Sequence, residues 1–259
     1  MSRCDRLVVM TLHKSASMLL RLALQRLSAL TMTPHYFEGD ANLPKHWDLQ
    51  QDPSPILRQA GLFGPIYTYC PIADAENTQI ILQVRDPRDL MVSLYYSFAY
   101  SHPDPKDTDT AEDRRRWREM GIDQFVLHDE IVWGPPGYRR SFKCTAMANR
   151  FLAYGANLLG RSNVTVLHYE DMFQDFDAWW TGFSTAAERV VPREALDVFL
   201  PELRAELTPP GSENHFTHKR RMLPGDHVSK LAPETIRQLD IVFSDAIKIF
   251  GYERTKAPQ

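Results

Sequence analysis

Leu7-Val8-Val9-Met10-Thr11-Leu12-His13-Lys14-Ser15-Ala16-Ser17-Met18-Leu19-Leu20 is an apolar, β-branched run that passes without spacer through a small polar turn into a leucine-rich segment. The pattern predicts a buried strand over 7–12 delivered directly into the N-terminus of a helix reaching residue 30. Such a junction gathers unpaired backbone N–H groups at the positive end of the helix dipole, and Ser15, Ser17 and Lys14 add two hydroxyls and a full charge. Phosphate or sulfate is the ligand it suits. The loop lacks the glycines of G-x-x-x-x-G-K-[ST], so it is not the usual nucleoside-triphosphate loop. Taken alone, a Lys-Ser pair before a helix is more often a solvated cap, and the decision comes from further along the chain.

A second junction of the same build follows. Gln79-Ile80-Ile81-Leu82-Gln83-Val84 reads as a strand covered on both faces, Arg85-Asp86-Pro87-Arg88-Asp89 as the turn, and 90–98 as a helix with Asp86 as N-cap and Pro87 at its start. Shorter runs predict strands over 32–37, 65–70 and 164–169. Helices are expected over 122–131, 142–159, 175–190, 193–206 (interrupted by Pro201) and 233–250. Repeated strand, turn and helix predict an α/β fold, with a central, mainly parallel sheet of about five strands flanked by helices and ligands at the strands' carboxyl ends.

The 259 residues, 43% of them hydrophobic, suffice for one core, so a single domain spanning 1–259 is expected. Segments 41–64, 99–121 and 209–230 are expected to be mobile loops, the second leading into a surface helix that carries Arg114-Arg115-Arg116. A net charge of −3 argues against bulk nucleic-acid binding. Three widely spaced cysteines, Cys4, Cys70 and Cys144, suggest neither a disulfide framework nor a metal knuckle. No apolar run reaches membrane-spanning length, and a strand beginning this near the start leaves no room for a signal peptide. The expectation is a cytoplasmic protein without nucleic-acid or membrane partners. Tyr95, Tyr96, Trp179 and Trp180 are expected in the core, and the Trp133-Gly134-Pro135-Pro136-Gly137-Tyr138 segment is either a structural turn or a wall of an acceptor pocket.

Three cationic stations stand at loop positions: Lys14, Arg85 with Ser93, and His218-Lys219-Arg220-Arg221 before Met222-Leu223-Pro224-Gly225-Asp226. The spacing from Arg85 to Ser93 lets a strand-end guanidinium and a hydroxyl two helical turns along converge on one anion. Four motifs stand in order: Leu12-His13-Lys14-Ser15-Ala16-Ser17, Val84-Arg85-Asp86-Pro87-Arg88-Asp89 through Ser93, Tyr169-Glu170-Asp171, and Arg220-Arg221-Met222-Leu223-Pro224-Gly225-Asp226. Together they resemble those of the sulfotransferases that use 3′-phosphoadenosine 5′-phosphosulfate (PAPS). The resemblance implies a P-loop-like three-layer fold. It implies that His13, Lys14, Ser15, Ala16, Ser17 and Met18 hold the 5′ end of the nucleotide, Lys14 stabilising the leaving phosphate, and that Arg85, Ser93, Arg220 and Arg221 hold the 3′-phosphate. Sulfuryl transfer builds negative charge on the departing oxygen, which a cation and helix-terminal N–H groups offset. The sulfuryl group carries less charge than a phosphoryl group, so no metal is expected.

The sequence departs from the family where the acceptor's proton must go. Cytosolic members carry Lys-Thr-His on the third strand, the histidine acting as base; here Tyr67-Thr68-Tyr69 is the best match. A tyrosine with the ordinary pKa of about 10 is a poor base at neutral pH. Glu38 is the preferred alternative to Tyr69, because the carboxyl end of the second strand faces the cleft, with His35 and His128 behind it. Leu19 replaces a tryptophan, Met222 a glycine, and His227 stands where tryptophan is frequent, on the adenine side or at the surface. The leading reading is sulfuryl transfer from PAPS to a hydroxyl, or failing that an amine, of a small molecule or sugar. The alternatives are a P-loop-like small-molecule kinase and a non-catalytic nucleotide-binding protein of the same fold.

Overall fold

A computed structural model describes residues 4–37, 59–72, 76–101, 108–133, 140–209, 211–217 and 220–252. In chain order its first elements are β1 (Arg6–Thr11), α1 (Ser17–Thr31), β2 (His35–Tyr36), β3 (Gly61–Ile66), β4 (Thr78–Val84), α2 (Pro87–Tyr96), a π-turn (Ser97–Ser101), α3 (Thr108–Met120) and α4 (Ile122–Leu127). Then come β5 (Val132–Trp133), β6 (Arg140–Ser141), α5 (Cys144–Leu158), β7 (Val164–His168), α6 (Asp171–Gln174), α7 (Phe176–Ala187), α8 (Arg193–Glu206), α9 (Asp226–Lys230), α10 (Pro233–Val242) and α11 (Ser244–Ile249). They form two compact units, one of residues 1–85 and 156–208, the other of 86–155 and 209–259.

The first unit holds a five-stranded sheet in the order β2-β3-β1-β4-β7, parallel throughout. Leu7 and Val9 of β1 join Leu62 and Ile81 in a core with Leu20, Leu24 and Leu27 of α1, Trp179 and Phe183 of α7, and Phe199 and Leu203 of α8. Val8 and Met10 point to the opposite face and are equally buried, which is why β1 reads as an unbroken apolar run. The chain leaves β1 for strands on one side and returns to β4 on the other, so the order reverses at the carboxyl end of β1. That is where open α/β sheets hold their ligands.

The third strand corrects the sequence expectation. It runs over Gly61–Ile66 rather than 65–70, so 61–64 is strand instead of loop and Tyr67-Thr68-Tyr69 lies just beyond the strand's end. Glycines that read as turn residues are there because backbone passes close by. A Cβ at Gly61 would sit 2.7 Å from the Pro34 carbonyl oxygen and one at Gly64 2.3 Å from that of Val9. Pro65 falls where the register with β1 slips between Val8 and Met10, a position that needs no ladder donor. Pro201 does not interrupt α8: Leu196, Phe199 and Leu203 bury one stripe around it and hold the helix together. The expected final helix is two, α10 and α11, parted at buried Phe243.

In the second unit, Phe98, Trp117, Phe125 and Phe142 pack ring against ring, as do Phe151, Phe243 and Phe250. Asp86 caps α2 by accepting from the Arg88 N–H, with Pro87 in the first turn, as the sequence predicts. Arg88 closes on both oxygens of Asp86 at 2.9 and 2.6 Å and reaches Asp240 of α10 at 2.8 Å. Residues 108–120, inside the expected 99–121 loop, are helical.

Candidate functional site

The β1–α1 loop is built from alternating backbone hands. Lys14 and Ala16 are left-handed, with φ of 69° and 61°, on either side of Ser15. That alternation makes successive N–H groups converge into an anion-binding concavity. The α1 N-terminus has no side-chain cap and no acidic residue in its first turn, so no carboxylate of that turn competes for its dipole.

The carbonyls of the same loop are tied back. Arg85 donates to the Lys14 carbonyl at 2.9 Å, and Gln83 Nε2 donates to that of Ser15 at 2.7 Å. Gln83 is oriented by the Trp179 indole N–H, which donates to its Oε1 at 3.1 Å. Arg85 lies with its guanidinium 4.2 Å from the centre of the Tyr169 ring. Lys14, Ser15, Ala16, Ser17 and Arg85 are therefore brought together at the adjacent carboxyl ends of β1 and β4. Ser15 is fully buried, and its Oγ has no hydrogen-bond partner among the described residues, as a hydroxyl reserved for a ligand would be.

The imidazole of His13 stacks on Tyr67, with ring centres 4.0 Å apart. Met18 is largely exposed in the first turn of α1. Tyr69 is half-buried beyond β3, and Glu38 lies outside the described residues. His35 contacts the Gly64 carbonyl through Nε2 at 2.8 Å, a tie between β2 and β3, and His128 accepts from the Glu130 N–H at 3.0 Å. Burial pushes the Cys70 thiol up to about 12, so it stays protonated.

The remaining candidates gather in the second unit. Asp89, Ser93 and Tyr96 recur at i, i+4 and i+7 and so share one face of α2. At one end of that face Asp89 accepts from the backbone N–H groups of Gly225 and His227, and at the other Arg220 lies 4.1 Å over the ring of Tyr96. Half-buried Ser93 stands between the two points at which the 220–227 segment meets the helix. Arg220 pairs with Glu213 and Asp226, and Arg221 with Asp226 at 2.8 Å. Burial pushes the Glu213 carboxyl upward, but hydrogen bonds from Lys230 and Arg220 and their charges outweigh it and hold it at about 2.

Sequence reasoning missed Gln83, Asp89 and Glu213. Gln83 carried a signal, a polar residue directly after the apolar run Ile80-Ile81-Leu82. Asp89 was visible only as part of a motif, and Glu213 carried no signal. Among the described residues no group of three or more His, Cys, Asp or Glu could hold a metal ion, and no helix is long and apolar enough to cross a membrane.

The profile of the sulfotransferase domain family matches residues 8–181. Among solved structures, mouse sulfotransferase SULT7A1 complexed with PAP is similar at a TM-score of 0.60 and 15% identity, over 97% of this chain and 90% of that one. Retinol dehydratase in complex with androsterone and inactive cofactor PAP is similar at 0.51 and 13% identity, over 95% and 81%. At such identities these two similarities speak to the fold, a P-loop-like α/β sheet flanked by helices. No curated protein matches the sequence.

Proposed function

The chain belongs to the sulfotransferase domain family, whose members draw their sulfuryl group from PAPS, and from that premise we propose that it sulfates a hydroxyl of a small molecule or sugar. The observation that carries the reading is the loop at the end of β1. Its carbonyls accept from Arg85 and Gln83, and the Ser15 hydroxyl, unpartnered among the described residues, stands with the uncapped α1 N-terminus where an anion would bind. PAPS is the donor substrate that fits this set.

In the proposed division, His13, Lys14, Ser15, Ala16, Ser17 and Met18 bind the 5′ end, and Arg85, Ser93, Arg220 and Arg221 bind the 3′-phosphate. Lys14 places positive charge at the oxygen that leaves with the 5′-phosphate, where negative charge grows as the sulfur–oxygen bond breaks. The acceptor oxygen loses its proton to a base, for which Tyr69 and Glu38 are the candidates. A 3′-phosphate needs charge-assisted donors that a nucleotide without one would leave unmatched, which favours PAPS over ATP. Androsterone in a solved relative supports a small hydroxylic acceptor. The cytoplasm is the proposed compartment, supported by three free, buried cysteines.

The test is transfer of label from 35S-PAPS to a panel of phenols, steroid alcohols and oligosaccharides, with chelator present. Wild type is expected to label at least one acceptor class, and Lys14→Ala to lose at least about 100-fold in kcat while still binding PAP. Transfer unchanged in Lys14→Ala overturns the assignment. Tyr69→Phe and Glu38→Gln then identify the base by which one abolishes the rise of rate with pH.

A further inference from the structure

We propose that Asp89 is a positioning residue for 3′-phosphate recognition: it locks the Gly225–His227 segment onto α2 and thereby sets where Arg220 and Arg221 present their guanidinium groups. The inference rests on the nucleotide reading above. Asp89 is completely buried. One of its oxygens accepts from the Gly225 N–H at 2.6 Å, and the other accepts from the His227 N–H at 2.9 Å and from the His227 ring at Nδ1, 2.6 Å away. A buried carboxylate with that many donors is fully matched, and fully matched carboxylates fix geometry more firmly than single neutral hydrogen bonds.

The location gives the lock its consequence. Asp89 is one helical turn before Ser93 on the same face of α2, so an unmatched carboxylate there would repel the dianion that Ser93 is proposed to bind. Engaged by Gly225 and His227, it serves as an anchor. The segment it anchors includes Asp226, which accepts from both Arg220 and Arg221. The chain of contacts thus runs from the helix through Gly225, Asp226 and His227 to the two arginines. Met222 and Gly225 are left-handed, with φ of 65° and 85°, at the two turns between the arginines and His227.

The experiment is calorimetric titration of the full chain with PAP and with adenosine 5′-monophosphate, which differs from PAP by the 3′-phosphate. Asp89→Asn keeps the size but leaves one N–H of the segment facing a donor. It is expected to weaken PAP by about tenfold or more while 5′-monophosphate affinity stays within about twofold, collapsing the ratio of the two. A purely structural role lowers the melting temperature without moving that ratio, and an unchanged ratio in folded Asp89→Asn overturns the proposal. Should Asp89→Asn fail to fold, His227→Ala, which removes one of the donors, is expected to lower the ratio about threefold, and an unchanged ratio there overturns it equally. A wild type that does not prefer PAP overturns the nucleotide reading itself.

Discussion

Arg85 donates to the carbonyl oxygen of Lys14 at 2.9 Å, so the cation at the end of β4 fixes the course of the loop at the end of β1. Removing it therefore acts on both ends of the proposed ligand. Arg85→Ala is expected to weaken PAP by about 100-fold and to destabilise the fold by only about 1–3 kcal/mol, the cost of one lost buried charge-assisted bond. Arg85→Lys, lacking the planar fork that bonds a carbonyl while stacked on Tyr169, should still lose about tenfold. Calorimetric affinity and urea unfolding measure the two effects separately.

Gln83 joins the Trp179 indole to the Ser15 carbonyl inside the core. Gln83→Leu leaves both without this partner and is expected to cost about 2–4 kcal/mol in urea unfolding and to weaken PAP. Trp179→Phe keeps the bond from Gln83 to Ser15. It should lower stability through lost packing while affecting nucleotide affinity less than Gln83→Leu does.

Gly64→Ala should be among the most damaging small substitutions in the chain. Its Cβ would meet the Val9 carbonyl oxygen at 2.3 Å, backbone against backbone, at a φ of +118°. A loss of about 3 kcal/mol or more is expected. Gly160→Ala, at φ +79° with nothing within 4 Å, should cost only about 1–2 kcal/mol, which denaturant midpoints would separate.

Glu213 supplies a pH signature. Its folded-state pKa of about 2 lies below the ordinary carboxylate value, so its stabilising contribution is complete above pH ~4.5 and disappears as pH falls through 2. The difference in Tm between wild type and Glu213→Gln should be constant near neutrality and shrink steadily from pH ~4.5 down to 2. A difference independent of pH across that window would place the effect elsewhere.

What the sequence disclosed was whatever is encoded locally. The β1–α1 and β4–α2 junctions, the Asp86 cap and the Pro87 start are set by neighbours within one turn, and they stand where the pattern puts them. The third strand was misplaced because its glycines and proline answer to Pro34 and Val9, residues remote in sequence, and local propensity gives way to that pairing. Pro201 inside α8 is the same lesson for a helix. At the site, charged residues within motifs were legible. The pairings of Asp226 and Glu213 with Arg220, and of Asp89 with the segment beyond, were not, because such partnerships depend on tertiary placement.

The left-handed turns at Lys14 and Ala16 have a thermodynamic corollary. A non-glycine residue in that conformation is held at a cost of about 1–3 kcal/mol each, a cost here sustained by the fold through Gln83 and Arg85. An incoming anion therefore meets donors whose order has already been set, and little of its binding energy goes into organising backbone. Loosening either tether would move that ordering step from folding to encounter and slow capture of the ligand.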